Sequence, residues 1–366
     1  MRVMKFELPD LCALHDLSVD TIIDARSPAE YAEDHLPGAI NLPSLSDAQR
    51  AEVGTIYVQD DRFKARKIGA AHVARNVAGY LEGPLADKPG NWRPLVYCWR
   101  GGQRSGAFAT ILQQIGWRVQ VLDGGYRAYR RLVVDMLYEQ PLGLKPVLLD
   151  GNTGTAKTRL LALLAERDWQ VIDLEGLANH RGSALGDMPG GQPTQKLFEG
   201  RLAQALAGLD PQRPVVIEAE SNKVGHRIVP PSLWQAMRAA PSVEISAPSA
   251  ARAAFLASAY ADISATPDQL CHQLDLLRPI RGHALVDAWQ RLAAQGAFTD
   301  LAHALITEHY DPAYAKARQR NDVSTAHRVA VDDLDDAALI RALPRIEAAL
   351  MRAFNPSVEE AARCHP

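Results

Sequence analysis

Two short stretches of this chain bring together residue types that could do chemistry. The first is YCWRGGQRS, residues 97–105, in which Cys98 is followed by Trp99, Arg100, two glycines and, after Gln103, Arg104. Successive backbone N–H groups, the positive end of a helix starting near Ser105, and the guanidinium groups of Arg100 and Arg104 would form an anion cradle. Such a cradle favours the thiolate, the nucleophilic form of cysteine. A free cysteine taken at random more often only packs, but a packing cysteine does not need a cationic glycine-rich loop. The second stretch is LLDGNTGTAKTRLL, where Gly151 stands six residues before Lys157 and Thr158 follows directly. It fits G-x-x-x-x-G-K-[ST] with Ala156 in place of the last glycine. Loop N–H groups across Gly151, Thr153 and Gly154 and the helix N-terminus would wrap a phosphate. Lys157 would add a point charge, and Thr158 could reach a Mg²⁺ ion. Ala156 suits this loop only with a negative φ, since its Cβ opposes the left-handed region.

Both stretches need a strand before them and a helix after them, and the flanking pattern supplies both. TIIDA (21–25), PLVYC (94–98) and RVQVLD (118–123) are strand-like, and SGAFATILQQIG (105–116) has helical periodicity. Such alternation predicts a parallel sheet with helices on both faces. EQPLGLK (139–145) carries the Pro and Gly of a connection. KPVLLD (145–150), TRLLALLAERD (158–168), WQVID (169–173) and PVVIEAE (214–220) then read as strand, helix, strand and buried strand, the opening of a nucleotide-type fold. Glu218 and Glu220 end that last strand, where an acid could hold Mg²⁺ directly or through water; either one alone reads equally well as a solvated strand end. Beyond about residue 248 the apolar spacing is mostly helical. The predicted architecture is α/β. Residues 1–138 form a first parallel-sheet domain, 139–144 a linker, and 145–366 a phosphate-loop α/β domain with a helical C-terminal part.

Composition narrows the classes. The 366 residues suit two domains with their own cores. No apolar run approaches the roughly 20 residues that span a bilayer, and the N-terminus lacks the basic start and apolar region of a signal peptide. No membrane association is expected, and the reading is cytoplasmic. Four scattered cysteines, Cys12, Cys98, Cys271 and Cys364, form no CxxC pair, so neither structural zinc nor a disulfide framework is expected. A net charge of −3 gives no global sign of nucleic-acid binding, so any such contact must come from local basic patches.

The motifs also carry resemblances. IIDARSPAEYAEDHLPGAINLP (22–43) and LDGGYRAYRR (122–131) resemble the opening and closing segments of rhodanese domains. That likeness implies that Cys98 carries a transferable chalcogen. Five residues separate Cys98 from Arg104, where many sulfur-transferring rhodaneses have four; a longer loop makes a wider anion pocket, fit for a phosphorus-bearing selenium donor. DLEGLANHRGSALG (173–186), QPTQKLFE (192–199), IEAESNKVGHRIVP (217–230) and HYDPAY (309–314) resemble tRNA 2-selenouridine synthases, a likeness running from about residue 8 to 315. It implies conversion of wobble 2-thiouridine in tRNA to 2-selenouridine with selenophosphate. It further implies an S-geranyl intermediate made from geranyl diphosphate, selenophosphate synthase as a partner, and no tightly bound organic cofactor. Catalysis would rest on Cys98, Arg100 and Arg104. Candidate tRNA contacts are Arg62, Lys64, Arg66 and Lys67, then His180, Arg181, Lys223, His226 and Arg227, with Trp99 to stack on a splayed base. His180 and Arg181 are placed on the rim of the phosphate loop. Two other readings stay open: a rhodanese sulfurtransferase fused to an ATP-dependent kinase, which retained adenine-nucleotide binding without tRNA binding would favour, and a silent anion-sensing module, which an ordinary Cys98 thiol would favour.

Overall fold

The computed structural model describes residues 3–183, 185–264, 267–321 and 325–355, so Cys364 lies outside the described residues. The chain divides into two compact units. One comprises Met1–Pro141 together with Pro193–Gly208, and the other Leu142–Gln192 together with Leu209–Pro366.

The first unit runs β1 (Met4–Phe6), β2 (Thr21–Asp24), α1 (Pro28–Glu33), β3 (Ala39–Asn41), α2 (Asp47–Gln59), α3 (Arg62–Glu82), β4 (Pro94–Tyr97), α4 (Gln103–Ile115), β5 (Gln120–Leu122) and α5 (Tyr126–Val134). Its sheet has the order β1-β5-β4-β2-β3 and every pairing is parallel. The central strand β4 is buried along its whole length. A strand covered on both faces must be apolar throughout, which is why PLVY shows no alternation. Serine caps start two helices: Ser27 with Glu30, and Ser46 with Gln49, each form a reciprocal capping box. Helix α4 turns Ser105, Phe108, Ala109 and Leu112 inward at helical spacing. Phe108 and Leu112 pack with Ile23, Val96 and Val121 of the sheet, each such side chain contributing roughly 1.5–3 kcal/mol on burial.

The second unit opens with β6 (Pro146–Asp150), α6 (Lys157–Ala165), β7 (Gln170–Ile172) and α7 (Leu174–Ala178). The next helix, α8 (Gln195–Ala207), departs from the contiguous boundary at residue 145 expected from sequence, because it belongs to the first unit. A buried carboxylate is one of the ties. Glu199 is 2% exposed on α8, and a buried charge must be paired. Arg130 and the Tyr138 hydroxyl, from α5 and the turn after it, both bond to it.

The chain then completes the second unit with β8 (Val215–Glu218), the antiparallel pair β9 (Lys223–Val224) and β10 (Arg227–Ile228), α9 (Pro231–Ala239), β11 (Ser242–Ser246), α10 (Ser249–Ala259), α11 (Ala261–Ser264), α12 (Pro267–Asp275), α13 (Arg278–Arg281), α14 (His283–Ala294), α15 (Phe298–Leu305), α16 (Asp311–Asn321), β12 (Thr325–Ala330) and α17 (Asp336–Phe354). The sheet order is β12-β11-β6-β8-β7, again all parallel. The α/β class expected from sequence is the one observed, with one addition: the C-terminal part is helical except for β12, which extends the sheet beyond β11. Leu160 and Leu164 of α6 and Leu339, Leu343, Ile346 and Leu350 of α17 pack with Val147, Leu149, Val216 and Val243. Leu270, Leu274, Val286, Trp289, Leu301 and Leu305 form a separate helical core. Among the described residues no helix is long and apolar enough to cross a membrane.

Candidate active sites

Cys98 leaves the end of β4 and is buried, with its Sγ 3.1 Å from the Ser105 hydroxyl. Helix α4 begins at Gln103, two residues earlier than expected, so Ser105 stands in its first turn and the thiol lies against that turn. The loop is gripped from the segment after β5. The Tyr126 N–H donates to the Cys98 carbonyl at 2.9 Å and the Arg127 N–H to the Trp99 carbonyl at 3.1 Å. This close approach needs Gly125, whose φ is +59°; a methyl group there would collide with the Cys98 carbonyl and the Gly101 amide.

The two arginines of the loop differ. Arg100 is exposed. Arg104 donates to both oxygens of Glu30, at 2.6 and 3.3 Å, so its charge is already matched and it is not the free thiol partner expected from sequence. Glu30 is aimed there by its capping box. Burial raises its pKa, but Arg104, the Ser27 amide and Arg50 outweigh burial and hold the carboxyl below its ordinary value. Trp99 is 37% exposed, its ring tilted on Tyr126 at 5.3 Å between centroids.

Beneath the loop lies a buried polar network. Arg26 pairs with Asp24 at 2.6 Å, the Tyr97 hydroxyl donates to Asp24 at 2.7 Å, and the Arg26 guanidinium stacks 4.0 Å from the Tyr126 ring centre. Tyr126 in turn donates to Asp34 at 2.7 Å. Burial pushes Asp34 up to about 6, with the Tyr126 hydroxyl and Arg130 pulling the other way.

In the second unit the loop 151–156 joins β6 to α6. Gly151 is required by closeness: a Cβ there would meet the Ile245 carbonyl at 2.8 Å and the Thr155 side chain. Ala156 has φ +59°, in the left-handed region. The condition set from sequence, a negative φ, is therefore not met; the residue adopts the backbone of the glycine it replaces and carries the strain. The Lys157 ammonium is held 2.9 Å from the Gly151 carbonyl. Burial opposes its charge, yet Tyr314, Glu220, Glu175 and Glu218 together outweigh burial and keep its pKa above the ordinary value. Thr153 and Gly154 are braced from α10. Arg252, 5% exposed, donates to the Thr153 carbonyl at 3.0 and 2.7 Å and pairs with Asp311 at 2.8 Å. The Asn152 side chain donates to the same carboxylate at 2.9 Å.

Across from Lys157 stand the acids. Glu218 and Glu220, singled out from sequence, are joined by Glu175, which sequence reasoning missed; carboxylate oxygens of the three lie within 4.8 Å of one another. The Thr158 hydroxyl donates to Glu175 at 3.0 Å. Burial raises all three, Glu220 to about 8 despite Lys157, with Glu175 and Glu220 each acting on the other. One Glu218 oxygen accepts the Glu175 N–H at 2.7 Å, and the other is buried with no hydrogen-bond partner. Hard oxygen donors converging with one orphaned oxygen fit a Mg²⁺ ion. The signal for Glu175 was local: an acid in the first turn after β7, beside the cap Asp173.

The basic candidates separate by burial. Arg66 and Lys67 are exposed on α3, Lys223 and His226 are exposed around the β9–β10 turn, and Arg227 is half-buried. On α3, Arg62 lies over the Tyr57 ring and Lys64 pairs with Asp60. His180 is buried, its Nδ1 accepting the Gly182 N–H at 3.1 Å. Arg181 lies 4.7 Å over the Tyr260 ring. These two therefore face the interior of their unit rather than forming the open basic rim expected. Cys12 and Cys271 have no catalytic neighbour among the described residues; Cys12 donates to the Ala207 carbonyl.

A sequence profile described as the tRNA 2-selenouridine synthase AAA domain matches residues 144–277, and one described as a rhodanese-like domain matches residues 11–132. Proteins named tRNA 2-selenouridine synthase are similar over long stretches. That of Pseudomonas syringae pv. syringae is 38% identical over 61% of this chain and 60% of its own length. That of Hydrogenovibrio crunogenus is 32% identical over 82% of this chain and 89% of its own. That of Verminephrobacter eiseniae is 34% identical over 84% of this chain and 90% of its own. With the Pseudomonas relative, the match thus spans less than two thirds of that protein. Since both matched domains stand in the same order as the two loops, and two relatives align over nearly their whole length, the chain belongs to the tRNA 2-selenouridine synthase family.

Proposed function

We propose that this chain, acting in the cytoplasm, converts the wobble 2-thiouridine of tRNA to 2-selenouridine, with geranyl diphosphate and selenophosphate as co-substrates. The observation that carries this reading is the alignment with 89% and 90% of two proteins named tRNA 2-selenouridine synthase by a chain that holds both the cysteine loop and the phosphate loop. In the first step the thiocarbonyl sulfur attacks the allylic carbon of geranyl diphosphate. The C–O bond breaks, diphosphate leaves with the electron pair, and loss of the N3 proton gives the neutral S-geranyl nucleoside. Lys157 and the amides around Gly151, Thr153 and Gly154 receive the departing charge. Thr158, Glu175, Glu218 and Glu220 would hold Mg²⁺, which supplies further charge neutralisation there.

In the second step selenium from selenophosphate adds to C2. Geranyl thiolate is expelled and protonated, and water cleaves the P–Se bond to release phosphate. Cys98 and its loop, with Arg100, serve this step, and the half-exposed Trp99 is available to stack on the base. Selenophosphate synthase would supply the donor, and Arg66, Lys67, Lys223 and Arg227 are the cations left for tRNA phosphates.

The test is nucleoside mass spectrometry of 2-thiouridine tRNA incubated with the protein, geranyl diphosphate, Mg²⁺ and selenophosphate. Wild type is expected to yield 2-selenouridine, Cys98→Ala to stop at the S-geranyl nucleoside, and Lys157→Ala to leave 2-thiouridine. Unchanged tRNA with wild type, or undiminished geranylation by Lys157→Ala, would overturn the assignment.

A further inference from the structure

Away from the phosphate loop, the second unit carries an open groove at the β12 edge of its sheet. The groove holds about 400 Å³ and runs between β12 and α17, lined by Arg328 and Ala330 from the strand and by Pro344, Arg345, Ala348 and Arg352 from the helix. On α17, Pro344, Ala348 and Arg352 follow at four-residue steps with Arg345 beside Pro344, so the four share one face, and all four are exposed. The opposite face of the same helix packs Leu343, Ile346 and Leu350 into the core. Two of the guanidinium groups therefore ride on a fixed element.

The charge in the groove has one sign. Three arginines line it and, among the described lining residues, no acid does. Arg328 is matched from β11 by Glu244 at 2.7 Å. Arg345 donates to a carbonyl, that of Ala330, at 3.1 Å, and a guanidinium has five N–H groups to give. In a chain of net charge −3 this is a local reversal that draws a polyanion. The bond to Ala330 also decides between two kinds of anionic partner. The Val331 N–H donates to Ser246 of β11, so by alternation Arg328 and Ala330 turn their backbone groups to the open side. Arg345 covers the Ala330 carbonyl there, which an added peptide strand would need. Between the arginines the walls are Ala330, Pro344 and Ala348, too shallow to form the side-chain pockets by which a peptide is read. A phosphate backbone needs neither an open edge nor pockets, only forked N–H donors at intervals. Arg345 and Arg352 stand two turns apart, about 10 Å along α17, a length that several phosphates of one strand span.

We propose that the groove between β12 and α17 is a docking surface for the phosphate backbone of the tRNA, held by Arg345 and Arg352 on a part of the unit that no step of the chemistry uses. The proposal rests on the reading of tRNA as the substrate given above and adds to it a surface that contributes affinity without touching the reacting base.

The experiment is fluorescence anisotropy of labelled 2-thiouridine tRNA with the full-length protein, from about 50 to 200 mM salt. Wild type is compared with Arg345→Gln/Arg352→Gln and with Arg118→Gln/Arg238→Gln, which removes the same charge from two exposed positions outside the groove. The groove variant is expected to bind about tenfold more weakly near about 0.1 M salt, and its log–log salt slope to fall by roughly 1.4 to 1.8. Its KM for tRNA should rise by the same factor with kcat and the binding of inorganic diphosphate unchanged. The control should shift affinity by less than about twofold. Circular dichroism checks folding. Because Arg345 also holds the Ala330 carbonyl, Arg352→Glu alone is the second variant, expected to weaken tRNA binding at least about fivefold. Undiminished affinity and slope in a folded groove variant, or an equal loss in the control, would overturn the groove assignment. So would loss of polyglutamate binding with tRNA binding untouched, which would make the groove a site for an acidic peptide. Wild type that binds no tRNA at any salt concentration would instead overturn the substrate reading on which the proposal stands.

Discussion

Replacing Asp311 by alanine is expected to damage the phosphate loop from 159 residues away in sequence. Its carboxylate accepts from Arg252 at 2.8 and 3.0 Å and from Asn152 at 2.9 Å, and Arg252 gives its remaining bonds to the Thr153 carbonyl. Without the carboxylate a guanidinium only 6% exposed loses its counter-charge. Breaking a fully buried pair in this way costs roughly 3–5 kcal/mol. The carboxylate side is 34% exposed, so water can partly replace it, and the expected loss falls to about 2–3 kcal/mol. Urea unfolding followed by circular dichroism measures that loss, and titration with inorganic diphosphate measures its consequence, an affinity about tenfold weaker because Asn152 and Thr153 are no longer set. Arg252→Met with Asp311→Leu should recover most of the stability, since an apolar pair can replace a buried ion pair. It should not recover the affinity, because nothing then holds the Thr153 carbonyl. A stability loss under about 1 kcal/mol for Asp311→Ala with unchanged diphosphate affinity, or full recovery of affinity by the apolar pair, would refute the bracing role.

Ala156→Gly is expected to change stability by less than about 0.5 kcal/mol. Relief of a left-handed alanine, roughly 1–2 kcal/mol, is offset by about 0.7 of extra unfolded-chain freedom and about 0.8 of lost methyl burial. Ala156→Val, β-branched at the same φ of +59°, should cost about 2 kcal/mol or more, both variants being compared with wild type by thermal melting; an unaffected melting temperature for Ala156→Val would show that the backbone strain is absent. Asp34, raised from an ordinary 3.8 to about 6, holds its proton more tightly folded than unfolded. Its contribution is therefore full below about pH 4 and is lost as pH rises through about 6, a fall of up to about 3 kcal/mol. The difference in unfolding free energy between wild type and Asp34→Asn, measured from pH 4 to 7, should show that fall, and a flat difference would contradict it.

Much of the fold was legible because its signals are local. Strands buried on both faces read as the unbroken apolar runs PLVY and VVIE, and α4 and α17 show their inward faces at three- and four-residue spacing. What stayed hidden depends on pairs distant in sequence. Helix α8 has ordinary periodicity, and its place in the first unit shows in partners distant in sequence, Arg130 and Tyr138 for Glu199, Glu33 for Lys196 and Cys12 for the Ala207 carbonyl. The edge strand β12 adds to β11 across about eighty mostly helical residues, and nothing in the TAHRVA pattern names its neighbour. Arg104 looked like a free cation beside Cys98 because the acid that claims it, Glu30, lies 74 residues earlier.

The sites divide the same way, for a reason rooted in the sheet. In a parallel α/β layer the loops after the strands collect at the carboxyl ends, so a motif placed after β4 or β6 falls there whatever the rest of the chain does. Cys98 and Lys157 could be found for that reason. Glu175 ends up beside Glu218 because β7 and β8 are sheet neighbours, a fact of strand order that spacing does not encode.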